Sequence, residues 1–440
     1  RGTDPSSPVE PAHAARAFEN VKIYEDAVEY YLIYAGELLF LDETPSLREL
    51  WEKIDELIGK IRGPVSRYRE RVEELRLHIA LAEGDEKEAG YRFGRLPTEP
   101  FEPKGIDEER LYARRVLTKS EYLWRSRNFK EALDGTKEAL LRFQELSIPE
   151  WEVRAQLLLG KIMLSLQRVE EAIEYFHNAG QKRLPNIYYG LTCESAAFVV
   201  LTHVMLGDYS LALSYADGAR GRAAERGRRV WERYLGMIRG KLLCEIGRYR
   251  EAAEVFQSLL LLDRLYFRNE RKQRFLAWLS RCRMYQGFTE IALDRLTDLE
   301  DSPEHLFFRA EAHLLNRDFE AALAALEEAL SAENGTDSFI RPIHLLHRDG
   351  YEPFENIILK KPGSYDVLYQ LIRAVRGFVL FRVGRKQEAD SEFDDILDAE
   401  KRVKMDPYRH LYYFYRTLAY DENDKSEELT KATYLSKAFQ

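Results

Sequence analysis

The chain has 440 residues, 45% of them hydrophobic and 32% charged, with a formal net charge of −9 at neutral pH. An acidic balance of that size favours solubility and argues against general binding to nucleic acid or anionic membranes. No apolar run approaches the roughly 18 residues that span a bilayer, so direct membrane insertion is not expected.

In chain order, residues 1–12 (Arg1-Gly2-Thr3-Asp4-Pro5 and on) have the character of a linker or fusion scar. An upstream signal or anchor would leave a periplasmic or membrane-associated location open. Residues 14–62 predict two or three amphipathic helices around Tyr24, Tyr31, Leu38, Leu50 and Ile54, ended by Gly63-Pro64. Residues 1–66 are therefore assigned to a linker and an N-terminal helical cap.

Beyond the cap one local pattern recurs: a bend, an aromatic or polar residue, an acidic or polar pair, then alanine. Clear copies are Arg168-Val169-Glu170-Glu171-Ala172, Asp208-Tyr209-Ser210-Leu211-Ala212, Arg248-Tyr249-Arg250-Glu251-Ala252 and Asp318-Phe319-Glu320-Ala321-Ala322. The alanines fall at Ala89, Ala132, Ala172, Ala212, Ala252, Ala292, Ala322 and Ala389, with successive steps of 43, 40, 40, 40, 40, 30 and 67. A step that stays near 40 is a repeat period. Gly94, Pro97, Pro100, Pro103 and Gly105 form a loop that accounts for the longer first step. The last gap exceeds one period, and Gly335, Pro342, Gly350, Pro353, Pro362 and Gly363 mark an inserted loop there.

Each copy predicts a helical hairpin, because antiparallel helices cross closely only where small side chains sit. Twelve residues before the marker stand Gly160, Gly240, Ala310 and Gly377, but Leu77, Ser120, Val200 and Ser280 in the other copies; four after it stand Phe93, Phe176, Phe256, Leu296 and Phe393, one turn on along the same face. Gly84, Gly207, Gly247 and Gly384 supply the bend between the helices.

On these small–aromatic–small copies the chain resembles the tetratricopeptide-repeat family over roughly residues 70–400, in an extended form of about 40 residues per repeat. The family's usual step is about 34 residues, and its repeat-ending proline is mostly missing here. The resemblance implies an all-α, right-handed superhelical solenoid of helical hairpins. Residues 67–330 hold the main array, 331–368 the insertion, and 369–440 a last hairpin with a C-terminal helical cap. Phe339, Ile340, Tyr351, Phe354, Ile357 and Ile358 would let the insertion fold back as a plug or serve as a docking element.

Nothing in the sequence assembles into an active site, and neither cofactor nor metal is expected. Gly236-Met237-Ile238-Arg239-Gly240-Lys241 has the wrong spacing for a phosphate loop and lies inside a helical pattern. His347-Arg348-Asp349 matches the kinase catalytic-loop tripeptide, but no asparagine follows at the required distance. His344 and His347 with Asp349 are metal-ligand types whose loop context favours ordinary solvation. Arg220, Arg222, Arg226, Arg228, Arg229 and Arg233 form the densest basic run, which fits a helix end, an inter-hairpin turn and a helix start. Cys193, Cys244 and Cys282 lack paired spacing and predict free, packed thiols in a reducing compartment, the cytoplasm first.

In the family's geometry the first helix of each hairpin lines a concave groove that takes extended or helical peptides. Positions eleven and eighteen residues before each marker should face it. They hold seven Lys or Arg (Arg71, Arg114, Arg154, Lys161, Lys241, Arg274, Arg281) against four glutamates (Glu121, Glu194, Glu304, Glu311). A positive stripe on a negative body selects an acidic partner. The expected partner-binding residues are Arg154, Lys161, Tyr234, Lys241, Arg274, Arg281 and Phe378. The functional expectation is a non-catalytic scaffold or adaptor for protein partners of a larger assembly. The alternative is a sensor module that binds a small peptide or metabolite and gates a signalling or transcription partner. Oligomeric state is not legible in the sequence.

Overall fold

The computed structural model describes residues 11–41, 44–63, 65–83, 85–95, 105–166, 168–262, 269–333, 367–400 and 415–416. The expected linker over residues 1–10, the core of the insertion (334–366) and nearly all of the C-terminal cap lie outside the described residues. Among the described residues all regular structure is helical, with no strand.

Three helices open the chain: α1 (Pro11–Asn20), α2 (Tyr24–Leu41) and α3 (Thr44–Lys60). Eight helix pairs follow. They are α4 (Ser66–Glu83) with α5 (Glu86–Arg95), α6 (Ile106–Arg125) with α7 (Phe129–Glu145), and α8 (Pro149–Ser165) with α9 (Val169–Gln181). Next come α10 (Tyr189–Met205) with α11 (Tyr209–Glu225), α12 (Arg229–Glu245) with α13 (Tyr249–Leu262), and α14 (Asn269–Tyr285) with α15 (Thr289–Thr297). The last are α16 (Pro303–Leu315) with α17 (Phe319–Glu333), and α18 (Val367–Arg382) with α19 (Lys386–Glu400). Each marker alanine lies near the start of a second helix, and all eight are buried.

The bends are as regular as the helices. Five residues before the marker the backbone turns left-handed, at Gly207 (φ 80°), Gly247 (78°), Gly287 (94°) and Gly384 (88°). Arg127 (φ 64°) and Arg317 (61°) hold the same place in two other copies. The turn ends the first helix with its own backbone bonds, as where Asp318 N–H donates to His313 O at 2.9 Å. An arginine pays for this conformation where glycine does not.

The close crossing is where the sequence placed it. The Phe176 ring lies on Gly160, Phe256 on Gly240 and Phe393 on Gly377. A Cβ added at Gly240 would come within 2.8 Å of the Phe256 ring, and one at Gly377 within 3.0 Å of Phe393. Ser195 serves the neighbouring contact, its hydroxyl donating to Phe176 O at 2.5 Å.

The chain divides into two compact units. The first holds the described residues up to Thr202 with Ser214–Leu235; the second holds His203–Leu213 and the described residues from Gly236 on. At the start of the first unit, Ala27, Val28, Tyr31, Ile54, Leu57, Tyr68 and Val72 pack α2, α3 and α4 into one apolar cluster. Phe256, Trp278, Phe307 and Phe308 are fully buried in the second.

One sequence expectation needs correcting. The helical stretch Asn186–Met205 is long and apolar enough, by length and composition, to cross a membrane. Glu194 breaks the literal apolar run, which is why counting uninterrupted residues missed it. Most of the stretch is buried inside the protein, as in a core helix that is apolar on every side.

Gly240→Ala tests the crossing. Alanine is intrinsically the better helix former by about 1 kcal/mol, yet the ring on Gly240 leaves no room for a methyl group. We expect a net loss of about 1–3 kcal/mol in urea denaturation; a gain in stability would contradict the observed packing.

Candidate functional site

Within each unit, polar and charged side chains tie first helices of neighbouring hairpins. In the first unit, Arg71 on α4 pairs with Glu29 on α2. Arg114 Nη2 on α6 donates to Glu74 on α4 at 2.8 Å, and Arg115 grips Glu70 with two bonds of 2.8 and 3.3 Å. Trp124 Nε1 on α6 donates to Ser165 Oγ on α8 at 2.7 Å. Lys161 Nζ on α8 donates to Glu194 on α10 at 2.9 Å and lies 5.2 Å from the centre of the Phe198 ring. Each tie runs from a first helix to the corresponding helix of its neighbour.

Trp151, near the start of α8, gathers the cations of this unit. The guanidinium of Arg114 lies 4.8 Å from its ring centre and that of Arg154 lies 5.2 Å away, distances at which the ring face attracts positive charge. Arg154 differs from its neighbours. Among the described residues no carboxylate comes within ion-pair distance of it, and its Nε has no hydrogen-bond partner. Burial lowers its pKa, and the adjacent charge of Arg71 adds to the effect while Glu194 opposes it.

In the second unit the network is tighter. Arg281 on α14 is held bidentately by Glu311 on α16, Nε to Oε2 at 2.8 Å and Nη2 to Oε1 at 3.0 Å. Its Nη1 donates to Glu245 on α12 at 2.7 Å. Tyr285 donates to Glu311 at 3.0 Å and stacks on Tyr249 with ring centres 4.6 Å apart. Trp278 Nε1 donates to Glu304 at 3.1 Å. Lys241, only 1% exposed, lies 4.9 Å above the Trp278 ring and 4.0 Å from Glu304. Burial pushes its pKa down to about 8 against the opposing pull of Glu304. Burial of Tyr249 against the carboxylates raises its pKa to about 12, although Arg281 opposes the shift.

The seven expected partner-binding residues therefore divide. Lys161, Lys241 and Arg281 are buried and engaged with glutamates of adjacent hairpins, so they act as internal ties rather than as free anchors. Arg154, Tyr234, Arg274 and Phe378 keep part of their surface. Tyr234 meets Trp231 edge to face at 5.9 Å, and Phe378 lies 6.1 Å from the Tyr415 ring. Counting cations against glutamates overstated the free positive charge, because Glu29, Glu70, Glu74 and Glu245 lay outside the positions counted.

The basic run of residues 220–233 takes the structural role. It spans the turn between α11 and α12, where Gly227 has φ 67° and the buried Arg228 donates to the Asn186 carbonyl. The cysteines are free and buried. The absence of paired spacing misled, however, since Cys244 and Cys282 lie close to one repeat apart and their sulfurs approach to 3.0 Å.

Sequence reasoning also missed the aromatic partners. Lys161, Lys241 and Arg281 stand eleven residues before their markers. Each lies over a ring fourteen residues before the next marker: Phe198, Trp278 and Phe308, at 5.2, 4.9 and 5.1 Å. The sequence signal is weak, because only these three copies carry a ring there, the others having Leu75, Thr118, Leu158, Ile238 and Val375.

Among solved structures, the apo form of RapI is 12% identical, with a TM-score of 0.53 over 86% of this chain and 98% of that one. NprR in complex with its cognate peptide NprX is 12% identical, with a TM-score of 0.46 over 86% of this chain and 90% of that one. A tetratricopeptide repeat protein from Parabacteroides merdae is 15% identical, with a TM-score of 0.39 over 66% of this chain and 99% of that one. The fold is that of the tetratricopeptide-like helical-repeat proteins. A family model described as TP_0123_C, a C-terminal domain, matches residues 356–440. No protein of curated function matches the chain by sequence.

The buried lysine yields a pH prediction. Lys241 binds its proton less firmly folded than unfolded, so between about pH 8 and the ordinary lysine value the unfolded chain holds more protons. Stability contributed at this position therefore rises with pH across that window. The difference in unfolding free energy between the wild type and Lys241→Met, measured by urea denaturation from pH 7.5 to 10, should move in favour of the wild type as pH rises. A pH-independent difference would contradict the placement of Lys241.

Proposed function

We propose that this chain is a non-catalytic helical-repeat scaffold that binds a peptide or an extended segment of a partner protein along its first helices. The observation that supports this most is the state of the charges on those helices. Arg71 is held by Glu29 on α2, and Arg114, Lys161 and Arg281 by carboxylates of neighbouring first helices. Held charges and rings present fixed geometry, so little side-chain entropy is lost when a partner binds. Fixed rows of aromatic and charged groups suit recognition of a polypeptide better than acid–base chemistry, which needs groups poised to exchange protons.

The partner we infer is a protein or peptide, with acidic character in the segment that meets the first unit. The three buried free thiols fit a reducing compartment, and we assign the chain to the cytoplasm on that basis.

The test joins capture to mapping. The full chain, immobilised, is used to recover a partner from the source organism, and hydrogen exchange is then followed on the purified complex. The expected result is a polypeptide bound in fixed ratio, with protection concentrated on first helices such as α6, α8 and α14, and binding weakened by added salt. Protection confined to the second helices, or turnover of a small molecule by the purified chain, would overturn the reading.

A further inference from the structure

The cations of the first unit are unequal in a way that points to a ligand. Arg71, Arg114, Arg115 and Lys161 each have a carboxylate assigned to them, on Glu29, Glu74, Glu70 and Glu194. Arg154 alone among these neighbours has none within ion-pair distance among the described residues. It is stacked on Trp151 at 5.2 Å, its Nε is unbonded, and Arg71 faces it as a like charge. A fold that supplies a carboxylate to every neighbouring cation and omits one bears a cost there, and uncompensated charge of this kind clusters at functional positions.

A second group faces the same place from another element. Tyr188 sits in the short 3-10 turn that precedes α10. It lies within electrostatic reach of both Arg154 and Arg71. Its hydroxyl makes no hydrogen bond among the described residues, and its ring is only partly covered. A guanidinium backed by an indole ring and a hydroxyl from the adjacent turn are the donors that a carboxylate requires.

We propose that Arg154 and Tyr188 form a carboxylate-binding site, which receives one acidic side chain of the bound peptide. The inference rests on the peptide-binding reading above and names the chemistry of its anchor. A single negative charge fits better than a phosphate dianion. Among the described cations that meet here only Arg154 lacks an ion-paired carboxylate, and Glu29, Glu150 and Glu194 all act on this small region. The Trp151 ring, which both Arg114 and Arg154 approach, keeps the Arg154 fork oriented and limits the rotamer entropy lost on binding.

The experiment uses the full chain and a fluorescent pool of short peptides, each bearing one glutamate, compared with the same pool bearing glutamine. By fluorescence anisotropy the glutamate pool should bind about tenfold tighter, the scale of one hydrogen-bonded charge pair. Arg154→Met should abolish that preference and Arg154→Lys should restore part of it. Arg154→Met should also melt no lower than the wild type, because it removes a charge that lacks a partner; a purely structural arginine would melt lower. Tyr188→Phe, which keeps the ring, should reduce the preference several-fold and covers the case in which Arg154→Met fails to fold. Equal binding of both pools by the wild type overturns the carboxylate site and leaves peptide binding standing. Binding of neither pool overturns both. An undiminished preference in folded Arg154→Met and Tyr188→Phe overturns the assignment of these residues.

Discussion

The contact on which the rest depends is a phenylalanine ring laid on a glycine. Phe176 on Gly160, Phe256 on Gly240 and Phe393 on Gly377 bring the second helix of a hairpin against the first where no Cβ stands between them. That approach sets the rotation of the first helix as well as its distance. Once the residue twelve before the marker points at the ring, the helical period carries positions eleven, fourteen and eighteen before it to other faces of the same helix. Lys161, Lys241, Arg281, Phe198, Trp278 and Phe308 occupy such positions. Within each unit, their meeting across hairpins follows from the crossing and from the similar spacing of successive copies.

The consequence, within each unit, is first helices tied to one another by ion pairs such as Lys161 with Glu194 and Arg281 with Glu311. Exposed pairs such as Arg248 with Glu251 or Arg385 with Glu388 sit within one helix end and contribute little. The pairs between first helices differ because they are largely withdrawn from water. Lys161 and Glu194 retain 11% and 12% of their side-chain exposure, and Arg281 and Glu311 retain 11% and 7%. Breaking such a pair strands a buried charge, which costs far more than losing a surface pair. On the proposed reading their worth is geometric: they order the first helices before a partner arrives. Arg154 is the exception, for among the described residues no carboxylate lies within ion-pair distance of it and its Nε is unbonded.

Much of this was legible in the sequence. The hairpin positions, the burial of the marker alanines, the bends at Gly207, Gly247 and Gly384, and the meeting of Phe176 with Gly160 all follow from spacing, because each is a local property repeated in register. The candidate site was legible only in part. Position counting found Lys161, Lys241 and Arg281 but treated each as an independent surface charge, whereas a lysine or arginine stem reaches into the next repeat. Glu245 and Trp278 became visible as partners only when neighbouring first helices were placed side by side. The cysteines show the same limit: Cys244 and Cys282 are far apart along the chain and in contact across it. Asn186–Met205 shows another, since Glu194 hides the apolar character of a helix that it joins to Lys161. The basic run around Arg228 was correctly assigned to a turn, because Gly227 and the helix ends flanking it are local signals.

The account stands on the claim that ion pairs between first helices order the binding face, and a double-mutant cycle on Arg281 and Glu311 measures that directly. Arg281→Met, Glu311→Gln and the double variant are unfolded in urea at neutral pH. The account predicts a favourable coupling of about 1–3 kcal/mol, as for residues sharing one buried network. Additive effects, with coupling below about 0.3 kcal/mol, the scatter expected of independent sites, would show that the pair orders nothing and would contradict the claim.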